Sequence, residues 1–350
     1  MAGVSGGLLA ARVCKAGGLG MIAAGHFQDM DKLEKQITIF QEEMKMKKTD
    51  DDENDDAFPT DKSPEQSELA IGFIGFSSLS TPRGWKEYEY VLKTHRPKAV
   101  QFFAPSIMMH SDNALSNVQL AQKYNTKFIA QVGSISEAKE AIKHKVNAII
   151  CQGSEAGGHG LRRELGNSAM ALASQVSKMT TATNIPVLAA GGIVNGRHLA
   201  SALCVCDGAS IGTRYWACSE SQGNQVFQQE LIKKNSCDDV IRTTVFDQIQ
   251  NELNSTIKWP YPYHSVGSLR NATSSEWDGK TSEQLQHAMN DTELLKDYKS
   301  AQQASDPNVV CTLAGEGVGE IERIEGAYDV TLMIEEEAID TMNRLQGMCL

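Results

Sequence analysis

The sequence predicts an α/β fold in which crossover helices wrap a parallel sheet. Three observations predict it. Short runs that are apolar on both faces alternate with helical patterns as far as about residue 213, as in strands buried between helix layers. Small and polar residues cluster just after the later strands, where parallel α/β folds carry their functional loops. The 350 residues are 41% hydrophobic, enough to bury a large core.

The elements follow in order. "GLLAARVCKAGG" reads as a helix stopped by glycines, and "LGMIAAG" as a short buried strand. "DMDKLEKQITIFQEEMKMKK" is a long amphipathic helix. The acidic "TDDDENDDAFPTDKSPE" has two prolines and no apolar period, so residues 49–66 are expected to be a disordered insertion. Strand and helix then alternate. The pairs are "LAIGFIGF" with "GWKEYEYVLKTH", "KAVQFFAP" with "NALSNVQLAQKY", and "KFIAQVG" with "SISEAKEAIKHK", where Ser136 is expected to cap the helix. "NAIICQG" with "SAMALASQVSKMT" and "IPVLAAGG" with "NGRHLASALCV" follow, and "GASIGT" is a last short strand. The count is seven strands, each preceded by a helix. An open doubly wound sheet can hold seven, whereas a closed (β/α) barrel needs eight. Beyond Thr213, "RYWACSESQGNQVFQQELIKK" reads as helical. A stretch rich in turn formers and aromatics comes next, then more helix, then "LAGEGVGEI" and a final helix "AYDVTLMIEEEAIDTMNRLQ".

Composition excludes several functions. The net charge of -11 is not interrupted by a basic stripe, which argues against electrostatic nucleic-acid binding. None of the eight cysteines forms Cys-x-x-Cys, so free thiols in a reducing compartment are expected, with no metal site. No apolar run approaches the ~20 residues of a membrane span, and no cleavable leader is evident. The expectation is a soluble, cytoplasmic protein with neither nucleic acid nor membrane as partner, its oligomeric state left open.

The chemistry gathers at strand ends. "CQGSEAGGH" ends in His159, whose residue type titrates near neutrality and suits proton transfer. Glu155 either orients that imidazole or bonds backbone N–H groups of its own loop. "AAGGI" (189–193) and "IGT" (211–213) lie on successive late strands. Gly191 and Gly192 let backbone approach an anion, and Thr213 adds a hydroxyl, so the pair suggests a phosphate site. Either turn alone would be merely a tight turn. His26 follows the "IAAG" strand end and could face the same mouth.

At these residues the sequence resembles the nitronate monooxygenase family, formerly 2-nitropropane dioxygenases. "KAGGLGMIAAG", "QGSEAGGHG" and "AAGGIVNGRHLASAL…GASIGTRYWACSES" carry the resemblance, and "RTTVFD", "WPYPY" and "GEGVG" resemble fungal-type members. The resemblance implies a TIM-barrel enzyme that uses FMN. It implies His159 as the catalytic residue. It implies Phe73, Gln131, Gly157, Ala190, Gly191, Gly192, Gly212 and Thr213 as positions around the flavin and its phosphate, the glycines letting the loop pass over the flavin. The family pattern begins with a strand ending like "QAPMAGV", whereas this sequence starts at "MAGV". The expected fold is therefore a (β/α)8-type barrel with an incomplete N-terminus, seven visible strands and two edges lacking partners. Residues 1–220 would form the FMN-binding barrel, 221–310 a substrate-facing cap, and 311–350 a loop and helix returning to the barrel. "CVCDGAS" is one residue shorter than the family's connection, and "KHKVNAI" lacks its usual glycine and aspartate.

The implied activity is oxidation of alkyl nitronates or nitroalkanes by O2 to a carbonyl compound and nitrite. Two alternatives stand beside it: an FMN/NAD(P)H-dependent enoyl reductase on the same barrel, and an inactive paralogue acting only as a binding protein.

Overall fold

Local chemistry decides where the helices begin. In the computed structural model of the protein, which describes residues 3–26, 29–46, 67–104, 115–253, 257–290 and 293–348, the helix Ile135–Lys143 starts at a capping box. Ser134 Oγ accepts from Glu137 N (3.3 Å), and the Glu137 carboxylate accepts from Ser134 N (3.1 Å). The cap is thus Ser134. The expected cap, Ser136, lies inside the helix, because the capping residue must sit three positions before the glutamate that reaches back. The acidic insertion at 49–66 falls outside the described residues.

In chain order the elements are α1 (Gly7–Lys15), β1 (Met21–Gly25), α2 (Met30–Lys45), β2 (Ser67–Ile74), α3 (Gly75–Ser78), α4 (Pro82–His95), β3 (Pro97–Phe103), α5 (Asn117–Lys123), β4 (Lys127–Val132), α6 (Ile135–Lys143), β5 (Ala148–Gln152), β6 (Gly158–Gly160), α7 (Ala169–Thr180), β7 (Val187–Ala190), α8 (Gly196–Leu203), β8 (Gly208–Ala209), α9 (Thr213–Trp216), α10 (Gln225–Leu231), β9 (Val240–Thr243), α11 (Val245–Glu252), β10 (Ser265–Leu269), α12 (Ala272–Trp277), α13 (Ser282–Asn290), α14 (Glu293–Ala304) and α15 (Ala327–Met348).

Seven strands form one sheet in the order β1-β2-β3-β4-β5-β7-β8, all parallel. The fold is the TIM-barrel type with seven strands among the described residues. The two-residue side-chain period separates its faces. Phe73, Phe102 and Phe128 stack in a row, with Tyr88 of α4 edge-on to the first two. They belong to the main core between sheet and helices. Gly72, Gln101, Gln131 and Gln152 take the other face, which lines a cavity.

The two sheet edges are better covered than the strand count suggests. Beside β1, the segment before α1 pairs with the strand: Ala23 N donates to Ser5 O (3.0 Å) and Ser5 Oγ to Met21 O (2.6 Å). That corrects the expectation of a wholly unpartnered edge. On the outside, α15 packs against both α8 and α1, the helices that precede the two edge strands. Leu9 and Val13 of α1 and Val330 and Ile334 of α15 share a core cluster with Leu199, Ile211 and Tyr215. Burying one such aliphatic side chain is worth about 1.5–3 kcal/mol. An unpaired buried backbone group costs about 1–3 kcal/mol. A cluster of this size therefore offsets several unpaired groups. The α8–α15 contact needs Gly196, where a Cβ would sit 2.5 Å from Ile334 O, and Gly196 N donates to Glu337 Oε2 (2.7 Å).

The C-terminal part is more regular than its turn-rich sequence suggests. A three-stranded antiparallel sheet, β6-β10-β9, joins the glycine-rich segment after β5 to the strands at 240–243 and 265–269. A separate core of Val245, Phe246, Ile249, Val266, Leu285, Met289 and Tyr298 supports it. The helical reading of 214–234 holds only for α9 and α10, with 217–224 irregular between them. Among the described residues no helix is long and apolar enough to cross a membrane.

Candidate active site

The carboxyl ends of the barrel strands open on a cavity of ≈ 400 Å³. One wall is backbone. After β7, Gly191 and Gly192 have φ of 136° and 66°, a region that L side chains rarely adopt. After β8, Gly212 caps α9 and Thr213 begins it. The N–H groups of Gly191, Gly192 and Gly212 donate to no acceptor among the described residues. Thr213 Oγ1 accepts from Gly315 N (3.0 Å), which leaves its O–H free to donate. These groups offer an anion neutral donors without charged side chains.

The opposite wall is built from side chains, and the sheet register explains it. His159 on β6 pairs with Val266 of β10, which pairs with Thr243 of β9. Helix α11 starts just after Thr243 and delivers Asp247 to the ring: His159 Nε2 and Asp247 Oδ1 are 2.9 Å apart. The carboxylate is an acceptor, so Nε2–H is the donor of this pair. Trp259 stacks on the same ring at 3.9 Å and 11°, fixing its plane. His26 stands edge-on to Trp259 (5.5 Å), and its Nδ1 bonds Ser77 Oγ (2.7 Å). Burial, reinforced by the nearby His159, pushes His26 down from 6.5 to about 4, so it stays neutral.

The loop that carries His159 is held from behind by Arg242 of β9, which is buried. Its guanidinium donates to Ser154 O (2.7 Å), Ala156 O (2.6 Å), Ser265 O (3.2 Å) and Gly158 O (3.4 Å). Burial pushes its pKa down to about 10. The loop's glycines also serve packing. A Cβ on Gly157 would come 2.6 Å from the Ala314 carbonyl carbon, so the "EAGGH" and "LAGEG" segments meet backbone to backbone.

The floor is a glutamine chain. Gln101 Nε2 donates to Gln131 Oε1, Gln131 Nε2 to Gln152 Oε1 (2.9 Å), and Gln152 Nε2 to His159 O (2.8 Å). It ties three strand ends to the histidine's own carbonyl.

All nine residues singled out from the sequence line this cavity: His159, Phe73, Gln131, Gly157, Ala190, Gly191, Gly192, Gly212 and Thr213. Phe73 does so with a qualification, since its ring packs on Phe102 and Tyr88 in the outer core. His26 lines it as well. Of the two roles open to Glu155, the structure has the backbone one: Oε1 accepts from Ala169 N (2.8 Å) at the start of α7. Asp247 takes the partner role at His159. Sequence reasoning missed Asp247, Trp259, Arg242, Gln101 and Gln152. The first three lie in the segments "RTTVFD" and "WPYPY", which carried the resemblance without any assigned role.

Comparison with known proteins agrees with this architecture. The family model described as nitronate monooxygenase matches residues 1–331. A nitronate monooxygenase of Neurospora crassa is 25% identical over 98% of this chain and 89% of its own. The nitronate monooxygenase npaC of Metarhizium robertsii is 36% identical over 172 residues, 48% of this chain and 47% of that protein. Among solved structures, the nitroalkane oxidase of Streptomyces ansochromogenes superposes with a TM-score of 0.70 at 22% identity, over 98% of this chain and 94% of that one. At that identity the likeness shows the fold.

Proposed function

The chain belongs to the nitronate monooxygenase family, a family of flavin-dependent oxidoreductases, and on that premise we propose that it uses FMN to oxidise alkyl nitronates, or nitroalkanes, with O2 to a carbonyl compound and nitrite. The observation that carries this reading is His159, held by Asp247 at 2.9 Å on the wall of a cavity whose other wall presents unpaired N–H groups. The residues present fit the cofactor. Gly191, Gly192, Gly212 and Thr213 would hold the phosphate, and Gln131 and Gly157 would border the ring. When bound, the flavin supplies the electron acceptor and the O2 chemistry.

The chain's own residues then handle the proton and the charge. For a neutral nitroalkane, the α-C–H bond breaks, its proton goes to His159 Nδ1, and the electron pair passes to the nitro group as the nitronate. The imidazolium so formed is stabilised by the Asp247 carboxylate and by the face of Trp259. For a substrate supplied as nitronate, this proton transfer is not needed. In the same proposal residues 221–310 form the substrate-facing cap, since β9, α11, β10 and Trp259 supply the side-chain wall. A cytoplasmic setting also belongs to it, supported by the free thiols at seven described positions.

Anaerobic titration of the FMN-loaded protein tests the proposal. Bleaching of the flavin by propane-2-nitronate, with O2 uptake and nitrite release on admitting air, is the expected result. Bleaching by NADH alone would point to the enoyl reductase alternative. A protein that stays colourless with FMN would point to the binding-protein alternative.

A further inference from the structure

The glutamines of the floor come from successive strands, Gln101 from β3, Gln131 from β4 and Gln152 from β5. A carboxamide can point either way, and its partners decide which. Here a main-chain carbonyl decides. His159 O can only accept, so Gln152 turns Nε2 to it (2.8 Å) and Oε1 to Gln131. Gln131 must then give Nε2 to Gln152 (2.9 Å) and present Oε1 to Gln101, whose Nε2 donates to it. All three amides thus point toward the histidine, and each polarises the next. The carbonyls of the preceding loop have other donors. Arg242 serves Ser154, Ala156 and Gly158, and Glu316 N serves Glu155 (3.0 Å). The carbonyl of His159 itself has Gln152 as its side-chain donor, and the same residue's ring carries the 2.9 Å bond to Asp247.

Resting on the reading of His159 given above, we propose that Gln152 is a positioning residue for that histidine, and that the polarised row couples Gln101, at the far end of the floor, to the His159–Asp247 pair. The physical reason is that a carbonyl withdrawn from water is costly to leave without a donor. Its peptide rotates to recover one and carries the imidazole off Asp247. An acceptor-only side chain at the head of the row has the same result. A carboxylate at position 101 takes Nε2 of Gln131. Gln131 then shows Oε1 to Gln152, and Gln152 turns its own Oε1 on His159 O.

The test is a double-mutant cycle on the full chain between Gln152→Met, which keeps the length and removes the N–H, and Gln101→Glu. The first readout is the protonation midpoint of His159, followed by NMR of histidine labelled at Cε1 and identified by its loss in His159→Ala. Either variant is expected to lower the midpoint, because an imidazolium farther from Asp247 is less stabilised. The double variant should add nothing. A carboxylate at position 101 acting only through its charge would raise the midpoint. That result, or effects that sum in the double variant, overturns the coupling. An unmoved midpoint in Gln152→Met overturns the positioning role. Should Gln152→Met not fold, the direction of the shift in Gln101→Glu decides alone. The second readout is turnover of a nitroalkane by the FMN-loaded protein. Each single variant should lower kcat about 10-fold with KM unchanged, the worth of one hydrogen bond, and the double variant no further. Shifted midpoints in a protein that turns over no nitronate or nitroalkane would sink the proposed activity and leave the positioning standing. Unmoved midpoints in a protein that turns them over would sink the positioning and leave the activity standing.

Discussion

The two walls of the cavity are built on opposite principles. The wall at Gly191, Gly192, Gly212 and Thr213 is main chain from adjacent strand ends, with a single hydroxyl at Thr213. The wall at His159 is side chains recruited from afar: Asp247 lies 88 residues along the chain, and Arg242, also 88 residues from its Ser154 partner, sits behind the loop. A backbone wall depends on local φ and ψ, so a single added Cβ damages it. A side-chain wall depends on the register of a second sheet. It fails when a distant residue changes, even if the loop sequence is intact.

The largest expected effect is at the centre of the side-chain wall. His159→Ala should lower kcat/KM for a nitroalkane by about 10²–10⁴-fold while flavin stays bound, because the proposed phosphate donors sit on the other wall. Loss of flavin along with activity would show that the two walls are not independent. Asp247→Asn should cost about 10²-fold, since an amide also permits the wrong imidazole tautomer. As Asp247 is a positioning residue, the pH profile of kcat/KM should move too. An unshifted profile would reduce Asp247 to a structural role.

Removing the brace behind the loop should be felt in stability. Arg242→Ala leaves four carbonyls without their donor and should cost about 3–5 kcal/mol in urea unfolding. Arg242→Lys should recover little, because one ammonium cannot reproduce the fork. If Arg242→Lys matches the wild type, the brace is only a charge and the geometry argument fails.

The backbone wall is best probed at Thr213. Gly191→Val would confound the test, because that residue has positive φ and its Cβ would lie 3.1 Å from Glu155 Cγ. Thr213→Val should weaken FMN by about 10-fold, the worth of one hydrogen bond to a charged group, and Thr213→Ser should restore it. Unchanged FMN affinity in the valine variant would remove the hydroxyl from the phosphate site.

The smallest effect is a pH dependence. His26 is neutral in the fold, with its pKa lowered from 6.5 to about 4 by burial. Between those values the unfolded chain binds the extra proton, so stability is full above pH ~6.5 and falls as pH drops toward ~4, by on the order of 2 kcal/mol. His26→Asn should flatten unfolding free energy across that window. An unchanged slope would assign the acid sensitivity to other groups.

The sequence by itself determined the barrel-type sheet and the backbone wall, because both are written in contiguous residues. Apolar runs of strand length between amphipathic helices need only nearest neighbours to be recognised. "AAGGI" and "IGT" show their glycines at the position itself, with no distant partner needed to read them. The capping box at Ser134 was equally local, and was misassigned to Ser136 by two positions. The tertiary structure alone decided what surrounds His159. No periodicity in "RTTVFD" marks Asp247 as its partner, and nothing in "WPYPY" marks Trp259 as the plane against its ring. Glu155, four residues away, was the nearer candidate and turned instead to the N-terminus of α7. The choice was made by the antiparallel register that sets Thr243, Val266 and His159 side by side. Half of that register, β6 with β10, pairs strands more than a hundred residues apart. A one-dimensional pattern carries the propensity of each strand and not the identity of its neighbour. The same holds for α15, whose amphipathic pattern was legible but whose place against α1 and α8, beside the two sheet edges, came only from packing.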